Sequence, residues 1–171
     1  MKKISFIIPC YRSEKTVGNV VEEIDTAMQD VELSGKYEYE IILVNDCSPD
    51  DTIGTIRKLC EKKKYVKGIS FARNFGQHAA LMAGLRQSEG DYVVCLDDDG
   101  QTPADEVGKL LVKLEEGFDA VYAKYEHKQH SGFRNLGSKV NELMARFMIG
   151  KPKELYVSSY FISVNISCFT T

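Results

Sequence analysis

Apolar and polar positions switch repeatedly between two periods along this chain. Ile4-Ser5-Phe6-Ile7-Ile8 is a short, nearly unbroken apolar run closed by Pro9, the pattern of a buried first strand. From Val17 the apolar positions Val20, Val21, Ile24 and Met28 follow helical spacing, and Ser34-Gly35 marks the expected end of that helix. Glu40-Ile41-Ile42-Leu43-Val44 is a second buried strand, broken by the turn-rich Asn45-Asp46-Cys47-Ser48-Pro49-Asp50-Asp51. A helix through Ile53, Ile56 and Leu59 leads to a strand near residues 67–71, and another helix runs from about His78 to Gln87. Tyr92-Val93-Val94-Cys95-Leu96 is a fourth strand that runs straight into Asp97-Asp98-Asp99. In the next helix Thr102 is the expected cap, Pro103 occupies the first turn, and Val107, Leu110, Leu111 and Leu114 form one stripe. A strand at about 119–125 and a long helix through Phe133, Leu136, Val140, Leu143 and Phe147 complete the pattern.

Strands that are apolar on both faces, separated by amphipathic helices, predict an α/β fold with a mostly parallel sheet covered by helices on both faces. Such sheets bind ligands at the carboxyl ends of their strands. Three of the predicted strands end in polar clusters, Pro9-Cys10-Tyr11, Asn45-Asp46 and Asp97-Asp98-Asp99, so sequence-distant residues are expected to converge on one crevice. With 171 residues, no internal repeat and no linker, the chain reads as a single domain, 1–171.

Composition narrows the classes. A formal net charge of −3 offers no basis for nucleic-acid binding, and no apolar run is long enough to span a bilayer. The apolar stretch after Met1-Lys2-Lys3 stops at Pro9 and suits a buried strand better than a signal peptide. The five cysteines are odd in number and widely spaced, with no C-x-x-C, so most read as small buried hydrophobes in or near strands, in a reducing cytoplasm.

Asp97-Asp98-Asp99-Gly100-Gln101 carries the most chemistry. Three consecutive carboxylates at the end of a buried strand repel one another and call for a compensating cation. If extended geometry continues past the strand, Asp97 and Asp99 point the same way and share one ion, with Gln101 adding a neutral oxygen. Hard oxygen ligands with positions left for a diphosphate suit Mg²⁺ or Mn²⁺. A solvated acidic loop capping the following helix is the plainer alternative. Asp46 can accept hydrogen bonds from a nucleobase or ribose, or can start an Asx turn with Ser48 and Pro49, while Asp50 or Asp51 caps the next helix. Tyr11 can stack on a base or pack on the first helix, and Arg73 can hold a nucleotide phosphate or lie idle on the surface.

Together these segments become specific. Ile7-Ile8-Pro9-Cys10-Tyr11 followed by Val44-Asn45-Asp46-Cys47-Ser48-Pro49-Asp50-Asp51-Thr52 resembles the opening of inverting family 2 glycosyltransferases of the GT-A fold. The stretch Arg73-Asn74-Phe75-Gly76-Gln77-His78-Ala79-Ala80-Leu81-Met82-Ala83-Gly84 is similar to the R-N-[FY]-G-x-x-A-A-x-x-A-G stretch of polyprenyl-phosphate glycosyltransferases. Asp97-x-Asp99-x-Gln101-x-Pro103 resembles their D-x-D-x-Q-x-P metal motif. The likeness covers about residues 4–150 and points toward undecaprenyl-phosphate sugar transferases and dolichol-phosphate mannose synthases. It implies that Pro9, Tyr11 and Asp46 bind the nucleoside, that Arg73 lies near the nucleotide, and that Asp97, Asp99 and Gln101 hold the metal. Asp98 is grouped with the nucleotide-sugar-binding residues, although the family usually has a small neutral residue there.

Further implications of the resemblance are a UDP- or GDP-sugar donor, a polyprenyl (undecaprenyl) phosphate acceptor, and a cytoplasmic chain peripheral on, or tethered to, the inner face of the membrane. Arg134, in a Phe-Arg context like the family's, is the candidate for the acceptor phosphate, within a basic bias over residues 124–154 that suits anionic headgroups. After residue 150 the expected acid and arginine are missing and the family's chains usually run longer, so a chain truncated at its C-terminus is expected. An apolar final strand over 159–166, lacking edge charges, would favour a homo-oligomer. Two rival readings stand beside this one: a catalytically impaired nucleotide-sugar-binding fragment or sensor, and a haloacid dehalogenase-type phosphatase, whose D-x-D-G-T motif Gln101 interrupts. Neither glycine fingerprint of a P-loop or dinucleotide-binding protein is present.

Overall fold

The computed structural model describes residues 1–30, 33–100, 106–123 and 160–164. Residues 1–121 and 159–171 form one compact unit, and residues 122–158 a second, of which only Tyr122 and Ala123 are described. The elements follow the expected alternation: β1 (Lys2–Cys10), α1 (Val17–Met28), β2 (Tyr37–Asn45), α2 (Thr52–Lys62), β3 (Val66–Ser70), α3 (Gln77–Gln87), β4 (Tyr92–Cys95), α4 (Val107–Glu115), β5 (Ala120–Tyr122) and β6 (Phe161–Val164). The sheet order is β3-β2-β1-β4-β6-β5. β1, β2, β3 and β4 are parallel, and β6 runs antiparallel to β4 with Tyr92 opposite Val164. The fold class is therefore as expected, a mostly parallel sheet.

Helices lie on both faces of that sheet. α3 covers one face: Leu81 and Leu85 pack on Ile7, Val93 and Cys95, and Ala83 joins buried Ala80 against Ile42 and Val44. It sits close, because a Cβ on Gly84 would fall well inside contact distance of Ile7 Cγ2. The opposite face meets α1 and α2: Gly68 of β3 abuts Ile56 and Cys60, and Phe6 meets the ring of Tyr39, whose hydroxyl donates to Asp25 of α1. Val107, Leu110, Leu111 and Leu114 of α4 are all buried, as their spacing requires.

At the amino ends of the strands, the buried carboxylate of Glu40 accepts the Ser5 hydroxyl at 2.7 Å and the Glu89 N–H at 2.8 Å. Lys67 and Lys3 stand 2.8 and 3.1 Å from its other oxygen. Burial pushes this carboxyl up, but bonds from Lys67, Ser5, the Glu89 backbone and Lys3 outweigh it and hold the pKa at about 2.

Three expectations need correction or limits. α1 ends at Met28, where the Gln29 N–H closes on the carbonyls of Asp25 and Thr26, so Ser34-Gly35 is not its stop. Gly35, at φ 77°, instead serves a turn closed by the Lys36 N–H on the Leu33 carbonyl, which leads into β2. The final apolar strand is not an open edge. β6 lies between β4 and β5, so its backbone is paired inside the sheet and the ground for expecting self-association through it is removed. Thr102, Pro103 and the helix expected around 133–147 lie outside the described residues. Among the described residues, no helix is long and apolar enough to cross a membrane.

Candidate active site

Chain reversal in the sheet order creates the site. β2 and β3 leave β1 on one side and β4 pairs on its other side, so a crevice opens between the carboxyl ends of β1 and β4. Two backbone bonds extend the pairing into it: the Asp46 N–H donates to the Cys10 carbonyl at 3.0 Å, and the Leu96 N–H to the Ile7 carbonyl at 3.1 Å. A crevice of about 390 Å³ results, lined by Pro9, Cys10 and Tyr11, by Asp46, by Asn74, Gly76 and Gln77, and by Asp97, Asp98 and Asp99.

The loop after β1 is held through its amide groups by other loops and by the start of α2. Tyr11 N–H donates to Asp98 at 3.1 Å, Arg12 N–H to Ser48 Oγ at 2.7 Å, Ser13 N–H to Thr52 Oγ1 at 2.9 Å and Glu14 N–H to Asp50 at 3.3 Å. These bonds support Arg12 at φ 60°, a left-handed conformation that costs a non-glycine residue about 1–2 kcal/mol. Tyr11 stays 46% exposed, with the Arg12 guanidinium over one face of its ring, 5.6 Å from the centre.

Asp46 is only 4% exposed and uses both carboxylate oxygens on one loop, accepting the Phe75 N–H at 2.7 Å and the Gly76 N–H at 2.8 Å. Gly76, at φ 88°, makes the turn that starts α3 and aims the helix N-terminus at the crevice. The side chain that closes the turn is Asn45, one residue earlier than expected: its Oδ1 accepts the Ser48 N–H, three residues on, at 3.1 Å. Asp50 holds the start of α2, accepting from Thr52 Oγ1 at 2.6 Å and from Thr52 N–H at 3.3 Å. Desolvation pushes its carboxyl up, but bonds from Ser48, Thr52 and Glu14 hold it down at about 2.

The aspartate triplet divides its work. β4 ends at Cys95 and the chain turns at Asp98 and Asp99, so the extended geometry expected for Asp97 and Asp99 does not continue; both still line the crevice. Asp97 accepts the Gln77 amide at 3.1 Å. Asp98 Oδ2 accepts both the Tyr11 N–H and the Ser13 hydroxyl. Burial raises the Asp98 pKa above the ordinary value, against bonds from Ser13 and Tyr11, and the nearby charge of Asp99 adds to the rise. Among the described residues, no three His, Cys, Asp or Glu side chains cluster as metal ligands. The donor chemistry nonetheless fits a hard divalent cation, since Asp97 and Asp99 both line the one crevice and carry carboxylate oxygens. Gln101 and Arg134 lie outside the described residues.

Arg73 does not line the crevice; its guanidinium stacks 4.6 Å from the ring centre of the exposed Phe75. Asn74, Gly76 and Gln77, to which the sequence pattern gives no individual role, do line the crevice; their signal is their place between a strand end and a helix start. Cys10 and Cys95 are buried thiols whose pKa burial raises, Cys95 to about 12, so both are inert packing, while Cys47 is exposed.

This architecture has relatives. A profile of glycosyl transferase family 2 matches residues 5–170. The chain belongs to glycosyl transferase family 2. It is 34% identical over 152 residues to an undecaprenyl-phosphate 4-deoxy-4-formamido-L-arabinose transferase of Proteus mirabilis (strain HI4320), covering 88% of this chain and 45% of that protein. The chain thus spans a little under half the length of this curated relative. Among solved structures it resembles glucosyl-3-phosphoglycerate synthase from Mycobacterium tuberculosis in complex with Mn²⁺, UDP-glucose and phosphoglyceric acid, with TM-score 0.69, 21% identity, and 96% of this chain and 57% of that one covered. It also resembles a mannosyltransferase from Pyrobaculum calidifontis in complex with GDP-mannose and Mn²⁺, with TM-score 0.62, 20% identity, and coverage of 73% and 36%. The fold of this family 2 chain is GT-A. Family membership leaves the phosphatase reading of Asp97–Thr102 without support.

Proposed function

We propose that this family 2 chain binds a UDP- or GDP-sugar in the β1/β4 crevice and transfers the sugar, with inversion, to a polyprenyl phosphate. One observation carries the reading: residues from the strand ends of β1, β2 and β4 and from the N-terminus of α3 all line a single crevice. Tyr11 offers an exposed ring to the base. The α3 N-terminus presents backbone N–H groups and the positive end of its dipole to the diphosphate. Asp97 and Asp99 would hold Mg²⁺ or Mn²⁺, which when bound supplies neutralising charge to the leaving nucleoside diphosphate.

Inversion follows from a single displacement: the acceptor oxygen attacks the anomeric carbon from the side opposite the diphosphate, and the glycosidic C–O bond to the diphosphate breaks. Charge then grows on the diphosphate, where preorganised donors are most effective. A phosphate acceptor is already anionic near neutral pH and needs no general base to release a proton. The relative of Proteus mirabilis, named for an undecaprenyl-phosphate acceptor, supports that choice.

The test is a thermal-shift screen of UDP, GDP and dTDP and their sugars, each with and without Mn²⁺, followed by transfer of labelled sugar to undecaprenyl phosphate. Stabilisation by one nucleotide, increased by Mn²⁺, is expected. No stabilisation by any of the nucleotides would overturn the donor assignment, and transfer to a hydroxyl acceptor in preference to the lipid phosphate would overturn the acceptor assignment.

A further inference from the structure

We propose that Asp98 is a positioning residue that ties the loop carrying Tyr11 to the strand end carrying Asp97 and Asp99, so that nucleoside and divalent cation bind cooperatively. The inference rests on the nucleotide-sugar reading above. Its starting point is the central carboxylate of the triplet, which is engaged by protein donors. That carboxylate faces the loop after β1. Its Oδ2 accepts the Tyr11 N–H at 3.1 Å and the Ser13 hydroxyl, bridging 87 and 85 positions in sequence. An alanine or glycine here would have no acceptor to offer. The neighbouring amides of Arg12 and Glu14 are taken by Ser48 and Asp50 of the β2–α2 loop, and that of Ser13 by Thr52 at the start of α2. The Tyr11 loop is thus strung between two anchors, and Asp98 is the anchor on the β4 side.

Two consequences follow. Asp98 has committed an oxygen to two donors, so the triplet presents its neighbours Asp97 and Asp99 to a cation without requiring three carboxylates to crowd one ion. A cation that orders the Asp97–Asp99 turn also orders the Asp98 side chain, and through it the backbone of Tyr11. A nucleoside stacked on Tyr11 orders the same link from the other end. Each ligand then lowers the ordering cost of the other, and the coupling is reciprocal.

A phosphate-free probe isolates this route, because uridine or guanosine carries no diphosphate to touch the cation directly. Calorimetric titrations of uridine and guanosine, with and without Mg²⁺, are compared for wild type, Asp98→Ala, Asp98→Asn and Ser13→Ala. The cation is expected to tighten the better nucleoside about five- to tenfold in wild type. Asp98→Ala should erase that effect, and Ser13→Ala, which removes one of two donors, should reduce it. Asp98→Asn keeps an oxygen for the Tyr11 N–H and should preserve it. Equal loss in Asp98→Asn and Asp98→Ala would overturn the proposal, since charge and not the hydrogen bond would then matter. A wild type that binds UDP while showing no effect of the cation on either nucleoside would also overturn it. Failure of wild type to bind UDP or GDP at all would instead overturn the donor reading. Melting temperatures measured without metal establish that each variant is folded, and if Asp98→Ala is not, Asp98→Asn and Ser13→Ala decide the matter alone.

Discussion

Replacing Asp46 by asparagine probes how the crevice is built. In the structure this carboxylate accepts two backbone N–H groups, from Phe75 and Gly76, at 2.7 and 2.8 Å, from a side chain that is 4% exposed. An amide keeps one acceptor oxygen and turns its NH₂ toward the second N–H, so one charge-assisted bond is lost and two donors face each other. Bonds to charged groups contribute about 1.5–3 kcal/mol each, which puts the loss at about 2 kcal/mol. For a chain of 171 residues that corresponds to a fall in melting temperature of about 4–8 °C. The loop that moves contains Asn74, Gly76 and Gln77, which line the crevice, so nucleotide affinity should fall with it. At tenfold per 1.4 kcal/mol, the expected weakening of UDP or GDP binding is roughly 10- to 30-fold. Thermal melts without ligand and calorimetry with each nucleotide measure the two effects separately. An unchanged melting temperature with weaker binding would refute the clamp and make Asp46 a direct contact to the nucleoside; no change in either would reduce it to a spectator.

Other expectations follow from single contacts. Asp99→Ala should abolish the Mn²⁺-dependent gain in nucleoside diphosphate affinity while leaving the metal-free melting temperature within a few degrees; equal affinity of mutant and wild type with Mn²⁺ present would refute the ligand assignment. Glu40, held at about 2 against an ordinary 4.5, contributes stability that is fully present above about pH 4.5 and is lost as pH falls toward 2. Glu40→Gln should lower stability at neutral pH by up to about 3 kcal/mol and flatten its fall between those values, as read by urea unfolding across pH. Gly84→Ala forces a methyl against Ile7 and should cost about 1–3 kcal/mol in the denaturation midpoint, with a midpoint equal to wild type contradicting the close packing of α3.

The sequence by itself determined the order of elements and the ends of strands where chemistry sits. Buried strands such as Ile41–Val44 and the stripe Val107–Leu114 are encoded by local periodicity, which burial demands wherever the element finally packs. Tyr11, Asp46 and Asp97–Asp99 could be named because polar residues following an apolar strand fall at the carboxyl end of the sheet, Pro9 because of the family resemblance, and they do share one crevice. Local pattern contains no information about pairing across distance. It could not show that residues 161–164 enter the sheet beside β4, antiparallel and with both edges engaged, because their apolar run is equally consistent with an open edge. Nor could it show that Asp46 faces the backbone of Phe75 and Gly76, that Asp98 faces Tyr11 and Ser13, or that Arg73 stacks on Phe75 outside the crevice. A side chain's identity fixes which bonds it can make. Only the tertiary structure decides which donors lie within about 3 Å of it, and that choice separates a residue that meets a ligand from one that holds the wall.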